Sequence, residues 1–538
     1  MKTIQRSRWL RLVGGWLGAF MVATCSSAAA AEVAVRIAES TTRITQPLRE
    51  DGYPDYVAAL NEICAAGVTA DNNAAVPFMR AFGPGPINET LRPRFFNMLG
   101  IEPLPEEGLY LVGFDEFCQR LVKEEEAEVG DAETRQKLQD AYAQSLDRPW
   151  GSDEFPEVAA WVAANAAPLS LILEGTQRPR FYAPMIAMPG DRDEAMVISV
   201  LLPVLQELRE AARLLKCRAM LRLQEGETDA AWQDLFACHR LGRLAAEDPT
   251  LIGALVGIAI DSVAIQGDSW IVAEGNLSEA AGQKILDDLQ SLEAMPPMVE
   301  CLETAERFAF LDAVCAVASG RVSLSDLSGE GTGEPPGWLM RTAASILVDW
   351  DAILRKGNRW YDRVVSTAKL PDYQQRREAY AEIEADLRNA AGSVRDARNL
   401  WAVVVAPRAT VSEQLGNVFV SLLLPALSAA MEAEGRSVAM SRMNEVSFAL
   451  ATYWAKHQQY PATLADLEED LGRQVPLDPF SGEAFRYRRE GAGFVIYSVG
   501  PNLRDDNGKV YYLDRDENGQ PGLKDEWDDF RIRVPPAQ

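Results

Sequence analysis

MNEVSFALATYWAKHQQYPATLADLEEDLGRQVPLDPFSGEAFRYRREGAGFVIYSVGPN, residues 443–502, changes its apolar period part-way along. In the first third, Met443, Val446, Leu450 and then Tyr453 or Trp454 fall on one face of a long helix. Tyr460-Pro461 ends it, because proline lacks the amide donor and pushes the preceding residue toward extended backbone. Thr463 followed three residues later by Asp466 is a capping-box signature, predicting a short second helix. Asp478-Pro479-Phe480-Ser481-Gly482 reads as a turn in which Pro fixes φ and Gly closes the chain. Beyond it, alternation predicts strands over 485–488, 494–499, 510–513 and 530–534, with Glu490-Gly491-Ala492-Gly493 as the hairpin between the first two. A long helix against a small antiparallel sheet, an α+β arrangement, is therefore expected at this end of the chain.

Upstream the texture is mainly α. EVAAWVAANAAPLSLIL, VISVLLPVLQELREAARLLK, PTLIGALVGIAIDSVAIQ and SEAAGQKILDDLQSLEAM all carry apolar residues at helical spacing. Gly226-Glu227-Thr228-Asp229 reads as the turn of an antiparallel helical hairpin. That hairpin resembles a single tetratricopeptide-type unit, with small Ala230, Ala231 and Ala237 and large Leu221, Trp232, Leu235 and Phe236, but no 34-residue recurrence accompanies it. The 251–260 run reads as a buried helix too short to cross a bilayer. SGRVSLSDLSGEGTGEPPG, residues 319–337, has little to bury and reads as a linker. The expected organisation is a signal peptide at 1–31, a helical body at 32–318 built of antiparallel hairpins, the linker at 319–337, a second helical segment at 338–417, and the long helix with its sheet at 418–538.

The leading segment joins basic Lys2, Arg6, Arg8 and Arg11 to the apolar run 12–24 and to small residues at 28–31, the pattern of a secretory signal cut after Ala31. Two rivals remain open at this stage: a lipoprotein cut before Cys25, which Thr24 disfavours, and an uncleaved anchor. The predicted location is extracytoplasmic, periplasmic or secreted, with no stable transmembrane span once the signal is gone. Removing those four basic residues, and no acidic one, takes the formal charge from −26 to −30. Such a surface repels phosphate backbones and anionic lipid, so nucleic acid is not an expected partner. Of the seven cysteines, six would remain, and the helical hairpin would bring Cys217 and Cys238 abreast; a disulfide or two buried thiols are both open. Cys301 and Cys315, about 21 Å apart on one straight helix, should not pair.

The order long helix, Tyr460-Pro461, DPFSGEAFRY, hairpin, YSVGPN resembles the C-terminal globular region of the major pseudopilin of type II secretion systems. The matching positions are Tyr460, Pro461, Asp478, Pro479, Gly482, Tyr487, Ser498, Gly500 and the acidic loops beyond. The resemblance implies a long helix packed on a small sheet and a calcium ion tying the last loops together, here through Asp505 and Asp506. Two features depart from it: the helix lies deep inside the chain, not directly after a prepilin cleavage motif, and it contains Asn417, Ser421 and Pro425. Assembly into a pilus through that helix is accordingly not expected. The helical remainder is similar to bacterial exported proteins carrying the same appendage, a resemblance that implies no activity.

A second calcium reading comes from the residues themselves. DRDENGQPGLKD places Asp514, Asp516 and Asn518 at alternate positions, then Gly519, the Gln520 carbonyl, and Asp525 in twelfth place, the ligand spacing of an EF-hand loop. Pro521, the short Asp525 and a preceding strand depart from that pattern, and solvated turns explain the acids equally. Catalytic patterns are absent: there is no GxSxG, HExxH or phosphate loop, and the two histidines, His239 and His457, lie apart. His239, on a predicted helix, reads as packed or surface. Acidic pairs such as Glu469-Asp470 and Asp528-Asp529 say little in so acidic a chain. The expectation is a non-catalytic exported protein making contacts with other envelope or secretion proteins. The alternative is an extracytoplasmic hydrolase with carboxylates converging in a groove of the helical body.

Overall fold

A computed structural model describes residues 33–124, 132–186, 196–200, 202–323, 348–393, 407–423, 427–472, 474–511, 513–514 and 527–536. The expected signal segment and most of the expected linker lie outside these residues. The chain is mainly helical and ends in a small antiparallel sheet. A run of shorter helices comes first: α1 (Tyr56–Ala65), α2 (Ala75–Phe82), α3 (Arg92–Leu99), α4 (Phe114–Glu124), α5 (Ala132–Asp147), α6 (Pro156–Ala164) and α7 (Ala166–Gly175). Longer helices follow: α8 (Pro203–Gln224), α9 (Thr228–Ala245), α10 (Leu251–Glu274) and α11 (Glu279–Ser291). Next, α12 (Met298–Cys301) runs through a π-helical turn, Leu302–Glu306, into α13 (Arg307–Ser319). The remainder is α14 (Trp350–Ala368), α15 (Tyr373–Ser393), α16 (Pro407–Leu423), α17 (Leu427–His457), α18 (Leu464–Leu471), β1 (Arg486–Glu490), β2 (Gly493–Ser498) and β3 (Phe530–Val534).

The predicted hairpin is α8–α9, turning through Gly226 at φ 81°. Buried Asp234 on α9 holds Arg218 and Arg222 of α8 at 2.6 and 2.8 Å, so the two helices are joined by charge as well as by packing. Cys217 and Cys238 are both free and buried, which settles the open pairing as two thiols. The register explains it: Cys238 Sγ donates to the Ala212 carbonyl, more than a helical turn before Cys217, whose own sulfur contacts the Ser145 hydroxyl.

Against this hairpin lies α10, a helix apolar on nearly every side and therefore central. The 251–260 run read as short from sequence is only its first half, since the helix continues through Asp261 and Asp268 to Glu274. By length and composition it could cross a membrane, yet 61% of its most apolar window is buried within the protein. Its approach to α9 is set by glycine: a Cβ on Gly257 would meet the Gly242 carbonyl at 2.4 Å, and one on Gly242 would meet the Gly257 carbonyl at 2.8 Å. Thr250 starts α10 by accepting the Gly253 amide.

The helix expected to begin near Val418 is described as α16 and α17, and Pro425 lies outside the described residues between them. Met443, Val446 and Leu450 are buried as predicted, while Trp454 is exposed and Tyr453 is the packed member of that pair. Along α17, Phe448 meets Trp232 edge-on at 5.5 Å, and Thr452 sits where only Gly282 of α11 leaves room. The Thr463/Asp466 capping box starts α18 as read from sequence.

The sheet order is β1-β2-β3, all antiparallel, with Phe494 opposite Val534 and Ser498 opposite Phe530. Phe494, Ile496, Phe530, Ile532 and Val534 face inward and belong to the same apolar cluster as Trp232 and Phe448. The predicted strand at 510–513 is a single bridge, Val510 to Asp528. The chain turns there instead, because Leu513 and Asp514 amides return to the Val510 carbonyl and the Asp514 carboxylate takes the Val510 amide. A second apolar cluster joins Tyr53, Tyr56 and Leu60 to Phe308, Phe310, Trp350, Leu354, Tyr361 and Phe419, so α13, α14 and α16 pack around one core.

Replacing Gly257 by Ala should separate α9 from α10 and lower stability by about 1–3 kcal/mol, the usual range for overpacking. Urea unfolding of the variant would show an unchanged slope with an earlier midpoint.

Candidate metal centre

The DPFSG turn and the YSVGPN segment meet in space. Buried Asp478, from the DPFSG turn, accepts hydrogen bonds from the Phe480 amide (3.0 Å) and the Ser481 hydroxyl (3.2 Å) within its own turn. Its carboxylate also takes the Ser498 hydroxyl (2.8 Å) and the Val499 amide (3.2 Å) at the end of β2. That clasp fixes where the chain leaves the sheet. At Gly500, φ is 64° and a Cβ would lie 2.2 Å from the Asp528 carbonyl, so glycine alone permits the loop to run against the segment entering β3.

Residues 500–508 then wrap around Asp528-Asp529. The Asn502 amide donates to Asp528 at 2.9 Å, and the Asn502 side chain donates to Asp506 at 3.1 Å. Amides of Asp506 and Gly508 both donate to the same Asp529 oxygen, Oδ2, at 3.1 and 2.8 Å. Asp529 is fully buried, and its other oxygen, Oδ1, has no hydrogen-bond partner. One carboxylate oxygen from each of Asp506, Asp528 and Asp529 lies within 4.8 Å of the others. Burial pushes the Asp529 carboxyl up to about 7; Asp506 and Asp505 add to the rise and the two amides oppose it.

The donor set fits a hard divalent cation. Calcium binds oxygens at about 2.3–2.6 Å, so ligands on opposite sides of the ion stand about 5 Å apart. A cation of this kind would neutralise like charges forced together by the loop and fasten residues 500–508 to the entry of β3.

Of the residues singled out by the EF-hand spacing, Asp514 holds Arg531 through both oxygens at 2.7 and 3.0 Å, which ties its loop to β3. Asp516, Asn518, Gln520 and Asp525 lie outside the described residues. Of the pair suggested by the resemblance, Asp506 joins the cluster, whereas Asp505 accepts the Tyr497 hydroxyl and faces Arg486. From sequence alone Asp528 and Asp529 read as an ordinary acidic pair. Their signal was position: they stand immediately before the last strand, which the hairpin topology returns toward the DDNG loop.

His239 is a different case. It is buried between two carboxylates, Nδ1 at 2.6 Å from Asp261 and Nε2 at 2.8 Å from Asp268. Arg243 also contacts Asp261, and the Asn444 side chain donates to Asp268 at 2.7 Å, so the network joins α9, α10 and α17. Burial alone would lower the His239 pKa, but Asp268 and Asp261 outweigh it and raise it to about 9. Asp261 falls to about 2: burial opposes the shift, and His239 and Arg243 drive it. An imidazolium donating from both nitrogens has no lone pair with which to act as a base, so this Asp-His-Asp set is a structural ion cluster.

Comparison with known proteins yields no matching family model, no matching curated protein and no matching solved structure.

Because the folded-state pKa of His239 lies above its unfolded value, its contribution is complete below about pH 6.5 and is lost as pH rises through about 9. Denaturant titrations from pH 7 to pH 10 should show stability falling by an amount on the order of 2 kcal/mol. His239→Gln should be less stable at pH 7 and lose this slope.

Proposed function

We propose that the chain is an exported, non-catalytic protein of the cell envelope whose pseudopilin-like C-terminal module binds a divalent cation, calcium first among them. In this reading it works through contacts with other envelope or secretion proteins. The observation that carries the cation reading is Asp529: a fully buried carboxylate with an unpartnered oxygen, set beside two further carboxylates. Support for the module comes from the sequence order that carries the resemblance, and from the way Asp478 joins two of its motifs. Millimolar calcium outside the cell would suit a site built from so few charged ligands.

The hydrolase alternative needs a groove where carboxylates meet a reactive group. A cavity of about 470 Å³ lies between α14 and α16, lined by Asp349, Lys356, Arg359, Arg408, Ser412 and Glu413 among others. There, Asp349 is engaged in capping α14 through the Ala352 amide, and the Ser412 hydroxyl donates to the Arg408 carbonyl. Both groups are bound to backbone, which favours the non-catalytic reading.

Calorimetric titration of the full chain with calcium should show one bound ion, and Asp529→Asn should weaken binding by about ten-fold or more, as loss of a charged ligand does. An isotherm without heat for the wild-type chain would overturn the cation reading. Partners purified from the native envelope should include secretion components in calcium and lose them in chelator; a co-purifying soluble glycan would instead favour the hydrolase.

A further inference from the structure

The acidic cluster sits where the C-terminal module meets α15, a helix outside the region of resemblance, and two separate contacts reach from α15 to its two sides. Arg377, on an exposed turn of α15, donates through Nη1 to the Pro501 carbonyl. Pro501 directly precedes Asn502, the residue whose amide holds Asp528 and whose side chain holds Asp506. On the other side, Tyr373 at the start of α15 is buried edge-on against Phe480, 4.6 Å between ring centroids. Phe480 packs on Phe530 at 5.7 Å, and Phe530 is covalently next to Asp529. Arg436 of α17 lies over the same Phe530 ring at 5.0 Å.

Tyr373 supplies an observation independent of the carboxylates. It is 3% exposed, its hydroxyl is buried without a hydrogen-bond partner, and Asp528 is among the charges acting on it, together with Glu432, Arg377 and Arg376. A buried hydroxyl without a partner is unfavourable by about 1–3 kcal/mol, so a group that satisfies it on ligand binding would favour the bound state. Water in the coordination shell of a hard cation is such a group.

We propose that a divalent cation held by Asp506, Asp528 and Asp529 is the latch that fastens α15 to the C-terminal module. The proposal rests on the cation reading above and extends it to regulation. Without the ion, the carboxyl groups crowded within 4.8 Å of one another have nothing to bridge them, so the 500–508 loop separates from Asp528-Asp529 and the Pro501 carbonyl moves with it. Arg377 then loses its acceptor, and α15 is released from the 500–508 loop while keeping its packing through Tyr373, Tyr380 and Ile383 and the ion pair of Asp386 with Arg363 of α14. With the ion, the loop closes, Pro501 is held in place for Arg377, and Tyr373 is drawn into the same junction. Two conformations of the junction therefore differ in affinity for the ion, which is what a ligand-controlled switch requires.

Hydrogen–deuterium exchange on the full chain, in chelator and in millimolar calcium, tests this with calorimetry run in parallel. Amides of 373–384 should exchange about five-fold or more slowly in calcium, the lower end of ordinary coupling between sites. Arg377→Ala, an exposed substitution, should abolish the slowing in α15 and weaken calcium binding by the same factor, because coupling is reciprocal. Tyr373→Phe should also weaken binding while leaving the calcium-free protein at least as stable. Calcium that binds by calorimetry and protects only 500–508 and 527–530 would overturn the latch and leave the site standing. No heat and no protection anywhere, with wild type and Asp529→Asn alike, would remove both.

Discussion

The carbonyl-to-backbone contact of Gly242 with Gly257 sets the geometry on which the rest of the body depends. Only with α9 and α10 this close do the short side chains of His239, Asp261 and Asp268 span the gap with bonds of 2.6 and 2.8 Å. The ion cluster then offers Asp268 to Asn444, and α17 is placed on α10 at a defined register rather than sliding along an apolar groove. Apolar burial supplies most of the attraction here, but it is non-directional; the buried polar contacts choose among its possible registers.

Placement of α17 decides what kind of module the C-terminus is. Its helix is buried by Trp232, by Gly282 and by the sheet, and one apolar cluster extends from the body to Phe494 and Ile532. A helix used in this way has its apolar face already occupied by its own chain. The C-terminal helix and sheet are thus built into a larger helical protein, with α15 packed at the junction.

Much of this was legible in the sequence because it is local. The capping box at Thr463, the hairpin at Gly491, the turn at Gly226 and the buried face of α17 each follow from residues a few positions apart. What escaped the sequence is long-range. Asp268 and Asn444 are 176 residues apart, and nothing in either neighbourhood announces the other. Val510 to Leu513 alternates like a strand, but a single side chain, Asp514, takes the amide that a strand would have used. In the candidate site, Asp506 was suggested by resemblance, whereas Asp528 and Asp529 looked like two among 79 acidic residues until the loop closed over them. Spacing within a loop finds ligands supplied by one segment; a site shared between two segments is visible only after folding.

The 24 residues of α10 are long and apolar enough to span a bilayer, yet they carry Asp261 and Asp268. An aspartate near the middle of such a stretch disfavours a lipid setting by about 2.5–3.5 kcal/mol. In the fold the same two carboxylates meet His239, so the groups that count against lipid give the helix a home at the centre of the protein.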